Sequence, residues 1–104
     1  MVQVVENLTL IRGRILARKA HPSLDHYDLV SVSVEQAEPV EGKADLLSRL
    51  IGTQTELAVR SELLGSAQPG DELRCHAKAT VNGAMCLPHP GAREFSVMPA
   101  GGPR

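Results

Sequence analysis

The sequence predicts an all-β fold, a small five-stranded barrel with one or two short helical turns, built as a single domain over residues 1–104. Three observations carry this expectation. Several segments alternate apolar and polar residues with the period of two that a strand with one buried face requires. These segments are short and are separated by Gly, Pro, Asn and Asp clusters. The apolar complement is also almost wholly aliphatic, with one Tyr, one Phe and no Trp among 104 residues, so the core must be built from Val, Leu, Ile and Ala. A chain of this length buries a real core but has no room for a second one.

The first strand is "LTLIRGRILARK", Leu8 to Lys19. Ile11, Gly13, Ile15 and Ala17 fall on one face and Arg12, Arg14, Leu16 and Arg18 on the other, which makes a half-buried strand with a basic outer side. Gly13 within it predicts a bend or a close backbone approach. "AHPSLDHYD" is a loop. "YDLVSVSVEQA" is the clearest strand, with Val30, Val32 and Val34 set against Ser31, Ser33 and Glu35. In "ADLLSRLIG" the alternation breaks; Leu46, Leu47 and Leu50 have helical spacing and Gly52 is a stop, so a short helix or helical turn is expected over 44–51. "TQTELAVRS" alternates again, with Thr55, Leu57 and Val59 inward and Glu56, Ala58 and Arg60 outward. "SELLGSAQPGD" holds one helical turn capped by Ser61 and ends in the Pro69-Gly70-Asp71 turn.

"ELRCHAKATVNGAMCLPH" reads as a hairpin, because Asn-Gly between alternating runs tolerates the positive φ that a two-residue turn needs. With Asn82 and Gly83 at the turn, Val81 pairs with Ala84, Ala79 with Cys86 and His76 with His89. Leu73, Cys75, Ala77, Ala79, Val81, Ala84 and Cys86 then face the core. Both cysteines point inward but stand four positions out of register, roughly 13 Å at about 3.3 Å per residue, beyond the reach of a disulfide. "REFSVMP" is a last short strand with Phe95 and Val97 inward. The ordered core is expected over about 7–98, with a frayed tail at 99–104.

Net charge is −1, but its distribution is uneven: +3 over residues 1–20, −7 over 21–72 and +3 over 73–104. Such asymmetry marks an interaction surface if the two basic ends meet in space. The chain has no apolar run long enough to cross a bilayer, and "MVQVVENLTLIRGR" lacks the basic head and apolar block of a signal peptide. The expected location is therefore cytoplasmic, with both cysteines reduced and no membrane association.

Over about residues 7–98 the pattern resembles the oligonucleotide/oligosaccharide-binding (OB) fold. "LTLIRGRILARK" is similar to its curved first strand with an internal Gly, "PGDEL" to the Gly-Asp turn into its fourth strand, and "TVNGAM" to the hairpin joining strands four and five. The resemblance is nearest to small single-strand-binding and primosomal OB proteins. In such a barrel the first strand runs beside the fourth. The resemblance therefore implies that Arg12, Arg14, Arg18 and Lys19 merge with Arg74 and Lys78 into one basic face able to track the phosphates of a single-stranded nucleic acid. Tyr27 and Phe95 cannot supply a stacking row, so such a binder is salt-sensitive and poorly sequence-selective. The bland reading of the same residues is a solvated outer face whose charge prevents edge-to-edge association.

Other chemistries are weighed on the same terms. "HPSLDHYD" gathers His21, Asp25, His26 and Asp28 within eight residues, with His76 and His89 elsewhere. The spacing matches no common zinc motif, so no metal or other cofactor is expected. Ser23, Asp25 and His26 are the only close trio of triad types, but neighbours in one loop rarely reach triad geometry. No phosphate loop, nucleophile elbow or paired carboxylates are present, and the expectation is a non-enzymatic binding domain. The alternative to nucleic-acid contact is a protein-interaction or assembly module forming oligomers or a heterotypic complex, which the bipolar charge layout and Leu16 and Leu87 beside the basic residues would suit.

Overall fold

Strand β1 (Thr9–Ala20) bends through the whole sheet, and its alternation explains how. Thr9, Ile11, Gly13 and Ile15 are buried, while Arg12 and Arg14 point outward. At Gly13 the bend brings the next strand so close that a Cβ would stand 2.3 Å from the Ser33 carbonyl oxygen and 2.5 Å from Val32 Cγ1. The expected close approach is therefore present, and only a residue without a side chain fits. In the computed structural model, residues 6–81, 83–91 and 93–100 are described.

β1 pairs antiparallel with β2 (Tyr27–Pro39), which pairs antiparallel with β3 (Gln54–Arg60). The single-turn helix α1 (Ser61–Leu64) leads to β4 (Glu72–Thr80), β5 (Gly83–Cys86) and β6 (Phe95–Met98). β3 meets β5 in parallel and β4 returns to β1, Thr9 opposite Ala77 through Arg14 opposite Glu72. The sheet order β1-β2-β3-β5-β4 thus closes on itself through β1–β4, and β6 adds to β4 as a sixth strand. This is a closed five-stranded barrel compatible with an OB-like fold. Asn7 tightens the closure as a side chain that imitates backbone: its Nδ2 donates to the Ala79 carbonyl at 3.1 Å, and its Oδ1 accepts the Ala79 amide at 2.7 Å. The interior is filled by Ile11, Ile15, Val30, Val32, Val34, Leu57, Val59 and Leu73, with Cys75, Ala77 and Cys86.

Several expectations need correcting. The helix expected over 44–51 is a single 3-10 turn, Ser48–Leu50. The Asp45 carboxylate sets it by accepting the Leu47 and Ser48 amides, and it binds the Thr9 hydroxyl as well. Ser61 begins α1 but does not cap it; its hydroxyl donates to Asp28 instead. Ala58, expected outside, is buried because β5 covers it, with Met85 opposite. Ala17, expected inside, is exposed: the β1–β2 register slips between Ile15 and Ala17, leaving Leu16 bulged and reversing which residues face in.

The β4–β5 hairpin is also displaced. Thr80 pairs with Gly83, Ala79 with Ala84 and Ala77 with Cys86, so the last pair before the turn is Thr80 with Gly83. Asn82 and residues 101–104 of the expected tail lie outside the described residues. Val81 is 67% exposed rather than core. This register differs from the expected one by two residues along β4, a slip that keeps every side chain on its face. It separates His76 from His89: the Leu87 amide donates to the His76 carbonyl, and His89 Nδ1 lies 3.1 Å from Arg60 Nη1. It also brings the cysteines two positions closer, and their sulfurs are 2.7 Å apart.

Candidate functional site

The basic residues of β1 and β4 are partly united and partly divided. Arg12 and Arg74 stand directly opposite each other across the β1–β4 pair. Lys78 lies further along the outward side of β4. These cations share their face with carboxylates. Arg12 Nε is 3.9 Å from Glu72 Oε1, and Arg14 donates to the Gly70 carbonyl at 3.0 Å. A shallow depression of about 350 Å³ spans this face, lined by Leu10, Arg12, Glu38, Glu72, Arg74 and Met98 among others.

Arg18 has left that face. Beyond the Leu16 bulge its guanidinium turns to Asp28, with Nε donating to Oδ2 at 2.6 Å, and Nη1 donates to the Gly65 and Ala67 carbonyls at 2.8 and 2.9 Å. Burial pushes the Asp28 carboxyl up, but the Arg18 guanidinium and the Ser61 hydroxyl outweigh it and hold Asp28 below its ordinary value. Arg18 therefore locks the β1–β2 end to the loop after α1. Lys19 is exposed opposite Leu29. Of the six basic residues, Arg12, Arg14, Arg74 and Lys78 share one outer face, and Arg18 does not.

A larger concavity, about 920 Å³, lies elsewhere. One wall is the β1–β2 loop, His21, Pro22, Ser23 and Leu24; the floor is Leu29 with β3 residues Gln54–Glu56 and Ala58; the other wall is the hairpin, Thr80 and Gly83–Met85. The loop is shaped by His21, whose Nδ1 accepts the Ser23 and Leu24 amides at 3.1 and 3.0 Å, and by His26, which adopts φ 66°. The floor has an unusual edge. β3 pairs with β2 from Gln54 onward, but on its other side pairing with β5 begins only at Leu57. Among the described residues, no strand pairs with 54–56 on that side, and these residues line the groove. Of the described residues lining it, His21 and Glu56 alone are ionisable, and none is Phe, Tyr or Trp.

This groove was missed in the sequence because its walls come from three distant stretches of ordinary residues. The signal that could have located it was topological, since an OB-like barrel exposes the β2–β3 face between its first and fourth connecting loops. Ser23, Asp25 and His26 are all exposed on the loop. Among the described residues no three His, Cys, Asp or Glu side chains gather as metal ligands, and no helix is long and apolar enough to cross a membrane. Compared with protein-family models, with curated proteins and with solved structures, the chain matches none.

Proposed function

We propose that this chain is a non-enzymatic, OB-like binding domain that works as a protein-interaction module, seating an extended segment of a partner in the groove between the Pro22 loop and the β4–β5 hairpin. The carrying observation is the β3 edge at 54–56 on the groove floor, which no other described strand pairs beyond β2. An extended chain laid there forms main-chain hydrogen bonds as an added strand, and the side walls select its side chains. The lining supports a peptide over a nucleic acid. Apart from His21, the described lining offers no cation to neutralise phosphate and no aromatic ring to stack a base, and it carries Glu56.

The test selects peptides from a displayed random library on the whole chain, then follows backbone amides by NMR as a selected peptide is added. Slowed hydrogen exchange within 54–56, with shifts confined to 21–24, 54–58 and 80–85, supports the reading. Selected peptides that leave these amides unchanged, or a library that yields no binder, overturn it.

A second reading rests on Arg12 facing Arg74, two like charges that a bound anion would relieve. It makes the outer β1–β4 face a phosphate-contacting surface for single-stranded nucleic acid, opposed by Glu38 and Glu72 in the same depression. Fluorescence anisotropy with a single-stranded oligonucleotide decides it: binding at low salt that weakens steeply as salt rises supports it, and no binding at low salt removes it.

A further inference from the structure

We propose that Cys75 and Cys86 form a reversible intramolecular disulfide that staples β4 to β5. The two sulfurs lie 2.7 Å apart, with the Cys86 S–H donating to Cys75, and both residues are free thiols in the interior. The hairpin register produces this contact. Cys86 is paired with Ala77, so Cys75, two residues earlier on the same face of β4, is its diagonal neighbour. Forming the bond closes the gap by about 0.7 Å to the normal S–S length. No other described cysteine competes, so the product is one defined bridge enclosing the hairpin tip.

The oxidant is a hydroperoxide small enough to enter a transiently opened hairpin, hydrogen peroxide being the simplest. The Cys75 thiol loses its proton to solvent, and the thiolate attacks one peroxide oxygen. An S–O bond forms, the O–O bond breaks, and hydroxide leaves to give the sulfenic acid. The Cys86 sulfur then attacks the sulfenic sulfur, its proton and the departing hydroxyl leaving together as water. Two thiols are oxidised to a disulfide and one peroxide is reduced to two waters. A dithiol reductant reverses the bond by exchange. The hydrogen bond to Cys75 and burial both push the Cys86 thiol well above its ordinary value. Because thiolate is the more reactive form, closure of the bond by Cys86 accelerates as pH rises.

The experiment treats the full chain with hydrogen peroxide at pH 7 and at pH 9, then alkylates in denaturant and maps the modified cysteines by mass spectrometry. The expected product has lost two hydrogens, takes up no alkylating agent, gives a Cys75–Cys86 cross-linked peptide, and returns to two alkylatable thiols after dithiothreitol. Its melting temperature rises by about 10 °C, as loss of loop entropy in the unfolded chain predicts, and Cys86→Ala shows no such rise. Two alkylatable thiols after treatment at both pH values would overturn the proposal. So would separate sulfinic acids on the two residues, or an equal melting shift in Cys86→Ala.

Discussion

Before Leu16, the arginines of β1 lie on the outer wall, Arg12 3.9 Å from a carboxylate and Arg14 with one hydrogen bond to a carbonyl; after it, Arg18 is held by a carboxylate and two carbonyls. The same residue type on the same strand, only four and six positions apart, thus serves as surface charge in one half and as a structural lock in the other. The difference comes from one inserted residue. The Leu16 bulge changes which residues face inward, so a position that strict alternation puts outside arrives among partly buried polar partners. A cation in a strand cannot be assigned to ligand binding until the register around it is known.

The comparison can be broken most severely at Gly13, whose close contact with β2 underlies the curvature of both halves. Gly13→Ala drives a Cβ into the Ser33 carbonyl, where backbone rather than a flexible side chain must yield. The expected loss is about 3 kcal/mol, read as a lowered midpoint in urea denaturation; an unchanged midpoint would mean the strands are not in contact there. Next comes the lock. Arg18→Ala takes from the Asp28 carboxylate its charged partner, leaving it only the Ser61 hydroxyl, removes the donor to two carbonyls, and should cost about 2 kcal/mol. It also carries a pH signature. Asp28 is held below its unfolded value, so the stability it confers is complete above about pH 5 and is lost as pH falls through the lowered folded value. The wild-type advantage over Arg18→Ala should therefore be constant from pH 8 to about 5 and shrink below pH 4. An advantage independent of pH would mean that packing, not the ion pair, provides it. The smallest effect belongs to Arg12→Ala, whose partner Glu72 is 3.9 Å away and partly exposed. Less than about 0.5 kcal/mol is expected in the same denaturation series, and a loss equal to that of Arg18→Ala would erase the distinction between the two halves.

The strands and their neighbours were legible because the information is local. Val30, Val32 and Val34 alternate without ambiguity, Pro69-Gly70-Asp71 marks the entry to β4, and the pairing of β1 with β4 follows once the OB-like pattern is granted. Two features were not legible, and both concern register. The bulge at Leu16 leaves no trace in "ILARK", where small, apolar and basic residues fit either parity. The hairpin slips by two residues, which keeps Ala77, Ala79 and Cys86 on their expected faces; alternation is blind to such a shift. Asn-Gly then pointed to one turn while the packing of Cys86 beside Ala77 and the Asn7 contacts with Ala79 accompany another. The groove stayed invisible for a further reason: unpaired backbone has no side-chain signature.

The bond between Asn7 and Ala79 spans 72 positions. During translation at roughly 5–20 residues per second, the first strand must wait about 4–14 s for its final neighbour. Through that interval β2 is the one named strand that pairs with it, and its β4 side stays open. Contacts this remote in sequence also slow refolding, so the barrel's assembly time is set by its longest reach and not by its tight local turns.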